Sequence, residues 1–465
     1  MAESAPAASL ADLAPPDVVD PSVDLALRSE QVGGRADLFV VQLRDAGVVA
    51  GDTVAWQLPN WWEALALFHA CWRLGAIAAP LHHRLTPDEV DRLAERIGAQ
   101  VLARPSRPLA FETLDSVARV ERPDDVAALL ATSGSTGEPK IVQHTSAGLA
   151  GKAATMVAAH GLTADDAILM PAPLAHISGL LNGVLLPGAA GMTTVLMDRW
   201  EPARAAELIE EHHVTFMIGP PTFFVDLMAL DEVPQDLRLI SSGGASVTEA
   251  FVRRASAAFG AVVKRTYGST EAPTVTTWHV GDPPDRAATT DGRPTGAVEL
   301  RTDEDGELWV RGPEVFVGYD DPAATSAALD DGWYRTGDLA TIDADGWLTV
   351  LGRATDTIIR GGENISPAEV EAACMTIDGV SQVAAVGIPD DRLGERVALA
   401  VVAKRPLELD EVAAACRAAG LAAFKVPEQL LVLEQMPTLA AGKPDRERLR
   451  EFLSGPGPDS APPAS

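Results

Sequence analysis

Residues 126–140 read VAALLATSGSTGEPK, an apolar hexapeptide followed by a run of small hydroxyl residues and glycines that ends in a lysine. The unbroken apolarity of Val126 to Ala131 is that of a buried strand. After it, Gly134 and Gly137 let the backbone turn tightly with its N–H groups inward, while Ser133, Ser135 and Thr136 add hydroxyl donors and Lys140 a positive charge. A loop so composed suits a polyphosphate. It is not a Walker A loop, because Ile141 follows Lys140 where that motif requires Ser or Thr. Alone, the run reads equally well as an ordinary surface turn, since the same residue types dominate loops. The rest of the chain decides between the two.

Working outward, the flanks alternate helix and strand. Helical spacing over Ala36 to Ala46 precedes a strand at Thr53 to Leu58, and Asn60 is placed to cap a helix reaching Leu74. Ile77 to Ala79 is extended, and Thr86-Pro87-Asp88-Glu89 opens another helix with an N-cap and a proline in its first turn. The alternation resumes with a helix over Ala203 to Glu211, strands at Val214 to Ile218 and Leu237 to Ser241, and a helix over Thr248 to Phe259. This rhythm predicts an α/β fold built on parallel-rich sheets. Past about residue 290, short strands at Ala297 to Arg301, Glu307 to Arg311, Ala340 to Asp343 and Leu348 to Leu351 are punctuated by Asp-Gly turns, predicting a β-rich subdomain. Ser366 to Cys374, Val380 to Ile388, Arg396 to Ala403, Leu409 to Ala419 and Gln429 to Leu433 then predict a small α+β domain. The organisation expected is residues 1–352, residues 353–453 and a disordered tail at 454–465, with the first twenty or so residues loosely ordered.

Among 465 residues, 66 acidic against 37 basic side chains leave a net charge of −29, which argues against nucleic acid or an anionic membrane as partner. The uncharged stretch from Ala167 to Met197 is interrupted by three prolines and four glycines, so it reads as buried core and not as a membrane span. Cys71, Cys374 and Cys416 are widely spaced in Ala/Leu-rich helical segments, as expected for free thiols of a cytoplasmic protein. His82–His83 and His212–His213 are adjacent pairs; neighbouring side chains point apart on regular elements, so neither suggests a metal site.

Four further runs carry candidate chemistry. Tyr267-Gly268-Ser269-Thr270-Glu271-Ala272 offers a ring to stack on a base, a hydroxyl for a phosphate oxygen and a carboxylate for Mg²⁺. Tyr334 to Leu339 (YRTGDL) places an acidic side chain after a glycine, as ribose sites do. Gly352-Arg353 and Arg360-Gly361-Gly362-Glu363-Asn364-Ile365-Ser366-Pro367 put glycines at a junction of two textures, and Gly442-Lys443 lies near the end of the last domain.

In their order these runs resemble the ANL superfamily of adenylate-forming enzymes, from about Gly51 to Arg450. The resemblance implies a large N-terminal domain that binds ATP and a carboxylic acid, and a small mobile C-terminal domain that turns between two half-reactions. It assigns Thr132, Ser133, Gly134, Ser135, Thr136, Gly137 and Lys140 to the β- and γ-phosphates, and Tyr267 with Gly268 and Ser269 to adenine. Thr270 falls near the α-phosphate, Glu271 on Mg²⁺, Asp338 and Arg353 on the ribose, and Lys443 between the carboxylate and the α-phosphate. His176 in PLAHISG, Gly219-Pro220-Pro221 and Ser242, Gly243, Gly244 and Ala245 would frame a largely apolar acyl pocket. The resemblance makes His176 a catalytic-site residue, at the position that opens or closes the path for the thiol; a histidine satisfied within the core is the alternative reading.

GGENISPAEVE and SQVAAVGIPDDRLGERVALAV resemble the acyl-CoA synthetase branch, with Gly361 and Gly362 leaving room for pantetheine, so CoA is the expected thiol acceptor. The LPNWWEA and PLAHISGLLNG segments resemble those of the branch acting on alicyclic and medium-chain acids, which implies that substrate class. A carrier-protein thiol, or nitrite passed to an aromatic amine, are the alternative chemistries; a homodimer is left open. Two departures stand out: Thr355 replaces the usual Asp or Lys of the hinge, and the stretch from Ala99 to Asp125 is short.

Overall fold

The computed structural model describes residues 9–132, 139–244, 247–361, 363–390, 392–438 and 444–454. The chain divides into two compact units. One comprises residues 1–300, 309–335 and 344–348, the other residues 301–308, 336–343 and 349–465.

The larger unit contains two parallel-rich sheets. In a nine-stranded sheet, Val262–Tyr267, Leu239–Ser242, Phe216–Gly219, Ala167–Met170, Thr193–Leu196 and Asp17–Asp20 run parallel in that spatial order. Short antiparallel strands finish its two edges. In a seven-stranded sheet, Val126–Ala131, Ile77–Leu81, Thr53–Gln57 and Ala99–Arg104 are parallel, and Ile141–Thr145 returns antiparallel to Val126–Ala131. Thr53–Gln57 and Ile77–Leu81 are buried throughout, and Ile77–Leu81 is apolar at every position, as a strand covered on both faces requires. Helix Pro87–Arg96 starts with the expected N-cap at Thr86 and Pro87 in its first turn, and Glu89 completes a capping box.

Two expectations fail here for physical reasons. Asn60 does not cap a helix: Trp61 holds the cap position of Trp62–Leu74. Instead Asn60, buried, donates to the carbonyls of Met170, Ala172 and Met197 at 3.1, 2.8 and 3.0 Å and accepts from Leu174 N at 2.9 Å. Four bonds at about 1 kcal/mol each outweigh one cap interaction. The N-terminal segment is also ordered from Ser9 onward. Asp17–Asp20 pairs with Thr193–Leu196, Leu10 and Val18 are buried, and the buried Asp20 accepts from Trp62 N at 3.0 Å.

Ala167 to Met197 forms core as expected, through Ala167–Met170, a helical run broken by a π-turn over Leu180–Leu185, and Thr193–Leu196. Among the described residues no helix is long and apolar enough to cross a membrane.

A further five-stranded sheet holds Glu299–Thr302, Glu307–Arg311, Trp333–Ile342, Leu329–Asp330 and Leu348–Arg353, and the chain passes between the two units within these strands. The expected short strand at 340–343 is the end of the ten-residue Trp333–Ile342. Gly306 and Gly346 take φ of +82° in the Asp-Gly turns.

The smaller unit is built on Glu363–Ile365, Ile358–Arg360, Gly394–Ala403 and Val380–Asp390, with Gln429–Leu433 parallel to Gly394–Ala403. Helices Pro367–Cys374 and Leu409–Ala418 pack on it, and Arg446–Ser454 closes the described chain. All three cysteines are free and buried, and tertiary packing brings Cys374 Sγ to 3.9 Å from Cys416 Sγ.

Candidate active site

Parallel strands end together, so whatever follows them is gathered along one edge, the usual ligand position in such sheets. In the nine-stranded sheet, Tyr267-Gly268, Ser242-Gly243-Gly244 and Gly219 follow three adjacent strands. In the seven-stranded sheet, the glycine loop follows Val126–Ala131 and His82–His83 follows Ile77–Leu81.

The glycines there are required by close approach. A Cβ on Gly243 would lie 2.5 Å from Thr266 O, and one on Gly268 would lie 2.4 Å from Thr274 N. Ser242 Oγ and Gly243 N both donate to Gly219 O, at 3.2 Å each, tying two strand ends into one floor.

Of the glycine loop, Ser133 to Gly137 lie outside the described residues, as do Ala245, Gly362 and Lys443. Its neck is well defined. Thr132 N donates to Lys140 O at 2.9 Å. Arg96 grips Asp320 through two nitrogens at 2.7 and 3.2 Å and donates to Pro139 O at 2.9 Å, while Ile141 N donates to Asp320 Oδ1 at 3.2 Å. Lys140, exposed, holds its ammonium 4.8 Å from the centre of the Tyr319 ring.

Glu271, half-buried, accepts a 2.8 Å hydrogen bond at Oε1 from the Tyr319 phenol, and Phe316 N donates to its backbone carbonyl at 2.8 Å. His144 Nε2–H donates to Thr270 O at 2.7 Å; burial holds this imidazole neutral, its pKa lowered to about 4. Below the same turn, Lys152 pairs with Glu314 at 2.5 Å and donates to Thr274 O and Thr295 Oγ1 at 3.1 and 2.7 Å. Burial lowers the Lys152 pKa, and the Glu314 carboxylate opposes that shift. A single carboxylate in a partly open turn fits Mg²⁺, which takes one or two protein carboxylates and completes its shell with phosphate oxygens and water. Among the described residues no group of three or more His, Cys, Asp or Glu side chains could hold a metal by itself.

His176 stands at the start of the short helix Ile177–Gly179, half-buried. Its ring lies 5.1 Å from that of His82, which stacks on His83 at 4.7 Å and 19°. The adjacent histidines thus do not point apart: they occupy a turn, where strand alternation does not apply, pinned by Gln57 Nε2 donating to Leu85 O at 2.7 Å and to His83 O at 3.2 Å. Burial first, then neighbouring positive charge, holds all three neutral, with His82 lowered to about 4. Trp200 stacks on Phe223 at 4.2 Å, and the Phe223 ring sits where a Gly219 Cβ would be, 2.6 Å away.

In the smaller unit, Asp338 and Arg353 meet as an ion pair at 2.8 Å, with Asp338 buried on strand Trp333–Ile342 and Arg353 exposed. Gly337, at φ +74°, turns the strand so that Arg353 also donates to Thr336 O at 3.2 Å. Gly361, at φ +61°, forms the exposed turn between Ile358–Arg360 and Glu363–Ile365. Thr438 and Pro444 pair across the segment that contains Lys443, and Arg446 anchors its far side on Glu371 at 2.7 Å and Asp356 at 3.3 Å.

Tyr319, Arg96, Asp320 and His144 were not singled out from the sequence. Tyr319 and Asp320 come 48 or more residues after Glu271, at a sheet edge no local pattern marks as part of a site. Only a glycine before a tyrosine hinted at Gly318–Tyr319.

The family model for AMP-binding enzymes matches residues 30–120 and 105–320, and that for the AMP-binding enzyme C-terminal domain matches residues 369–443. The medium-chain fatty-acid–CoA ligase of Escherichia coli is 32% identical, over 88% of this chain and 82% of that protein. The 3-[(3aS,4S,7aS)-7a-methyl-1,5-dioxo-octahydro-1H-inden-4-yl]propanoyl:CoA ligase of Mycobacterium tuberculosis is 34% identical, over 92% and 93%. The structure of O-succinylbenzoate coenzyme A synthetase from Bacillus subtilis with ATP and magnesium superposes with a TM-score of 0.80 at 28% identity, over 93% of this chain and 96% of that one. With both family models matched in order along the chain and relatives of 32% and 34% identity over most of it, the chain belongs to the AMP-binding enzymes of the ANL adenylate-forming superfamily.

Proposed function

We propose that this protein activates a carboxylic acid with ATP and passes the acyl group to CoA. The acid's carboxylate oxygen attacks the α-phosphorus of ATP and pyrophosphate leaves, giving acyl-AMP. The CoA thiolate then attacks the acyl carbon, and AMP leaves as the thioester forms. The observation that carries this reading is the gathering of Tyr267, Thr270, Glu271 and the glycine-loop neck at adjoining strand ends, with Glu271 held by Tyr319. Such an arrangement catalyses by positioning and charge stabilisation, with little proton transfer.

Tyr267 lies against adenine, Thr270 reaches the α-phosphate, and Lys140 with the 132–137 loop takes the β- and γ-phosphates. Asp338 and Arg353 hold the ribose, and Lys443 bridges carboxylate and α-phosphate. Glu271 would hold Mg²⁺, which would supply charge neutralisation at the phosphates. Gly361 and Gly362 admit the pantetheine arm, and residues 353–453 turn between the two half-reactions in a cytoplasmic enzyme. The three neutral imidazoles and the Trp200–Phe223 stack support an acid whose tail is uncharged. The medium-chain and fused-ring propanoate ligases among its relatives support the same class.

The test is ATP-dependent pyrophosphate release across a panel of medium-chain, alicyclic and aromatic carboxylic acids, with and without CoA. Release with one of these acids, and thioester product only with CoA, is expected. Release with nitrite and an aromatic amine alone, or thioester only on a carrier protein, would overturn the acceptor. Lys443→Ala is expected to abolish adenylate formation while sparing thioester formation from supplied acyl-AMP.

A further inference from the structure

Tyr319 lies outside every motif that carries the family resemblance, on the edge strand Gly318–Tyr319 that pairs antiparallel with Ile141–Thr145. Its phenol reaches Glu271 Oε1 at 2.8 Å, and its ring lies under the Lys140 ammonium at 4.8 Å. One side chain therefore touches the metal-side carboxylate and the phosphate-side lysine.

Its own position is imposed from elsewhere. Gln143 Nε2 donates to Tyr319 O at 2.6 Å, Tyr319 N donates to Thr325 Oγ1 at 2.8 Å, and the buried ring packs on Phe316 at 4.8 Å. The phenol oxygen is thus a fixed point to which Glu271 is tied. Glu271 in turn is anchored at its backbone by Phe316 N. The two aromatic residues hold both ends of the glutamate.

We propose that Tyr319 is a positioning residue for the divalent metal: by holding Oε1 it orders the Glu271 carboxylate that would bind the ion, and its ring holds Lys140 until polyphosphate arrives. This rests on the reading of Glu271 as the metal ligand. A carboxylate free to rotate must be ordered when the ion binds, whereas one bonded to a fixed phenol is ordered beforehand. The ring attracts Lys140 through its negative face, an interaction that phosphate oxygens displace. The hydroxyl and the ring therefore have separable duties.

Mn²⁺ binding to the full-length protein, followed by electron paramagnetic resonance with a non-hydrolysable ATP analogue present, separates them. Tyr319→Phe keeps the ring, so it is expected to weaken Mn²⁺ binding about tenfold while leaving analogue affinity at saturating metal within about twofold, because Lys140 keeps its platform. Tyr319→Leu is expected to weaken both. Thermal melts of each variant report the fold. Loss of Mn²⁺ binding in Glu271→Gln together with wild-type binding in Tyr319→Phe would overturn this inference and leave the metal assignment standing. Wild-type Mn²⁺ binding in Glu271→Gln would overturn the assignment itself.

Discussion

The side of the larger unit proposed to bind nucleotide and the face around His176 are built on the same kind of strand ends yet solve opposite electrostatic problems. On the first, charges are kept and each is given a partner: Glu271 with Tyr319, Lys140 over an aromatic ring, Arg96 with Asp320, Lys152 with Glu314. On the second, ionisable rings are crowded until burial and mutual repulsion keep them neutral. The contrast teaches that charge state here follows from packing. Histidine and lysine alike lose or keep their protons according to what the fold places beside them.

Breaking the charged side should have the largest effect. Glu271→Gln is expected to lower ATP–pyrophosphate exchange about 100-fold, because a neutral amide would hold less well the Mg²⁺ that offsets the charge building at the phosphates. Exchange within a few-fold of wild type would remove Glu271 from the metal role. The neutral side is tested with substrate: adding a terminal carboxylate to the best monocarboxylic acid is expected to reduce kcat/KM roughly 100-fold, since an unpaired charge must leave water. Equal turnover of both would reveal a buried cation that the proposed lining lacks.

Arg96→Ala is a smaller perturbation. It frees the glycine-loop neck without removing a ligand, so ATP KM should rise about tenfold or less, with kcat nearly preserved. An unchanged ATP KM would mean that the Thr132–Lys140 bond alone defines the neck.

The weakest effect concerns protons. His82, His83 and His176 titrate below the free value of about 6.5. The unfolded chain therefore binds protons on acidification before the folded one does. Their neutral packing contributes fully above about pH 6.5 and is lost as pH falls toward the folded value, about 4 for His82. The drop in Tm between pH 7.5 and 5.0 should shrink by about 2 °C in His82→Asn. An identical drop would show that this ring does not contribute to acid sensitivity; the buried His69 and His144, lowered to about 3 and about 4, supply a background that the comparison cancels.

How far the site was legible varies by residue. Tyr267 to Glu271 and Thr132 to Lys140 are contiguous runs that glycine spacing marks as candidates, while only their order with the other runs distinguishes them from ordinary turns. The Asp338–Arg353 pair was expected only from resemblance, since its members are 15 positions apart and meet because Leu348–Arg353 pairs with Trp333–Ile342. Asn60 was misread because its bonds reach residues 110 or more positions away. The N-terminal segment was misread because an edge strand such as Asp17–Asp20 carries little apolar pattern until it is laid beside Thr193–Leu196.

By itself the sequence determined the alternation of strand and helix, the uncharged core segment, the placement of turns and the family. The first three are written in patterns of period two or 3.6, or in short runs of glycine and proline, whose physical cause is local; the family was read from resemblance, in the order of motifs along the chain. The tertiary structure alone decided which phenol meets Glu271, which arginine clamps the loop neck and which histidines crowd one another into neutrality. Those contacts join side chains distant in the chain. Burial and Coulomb interaction depend on distance in space, which no local pattern specifies.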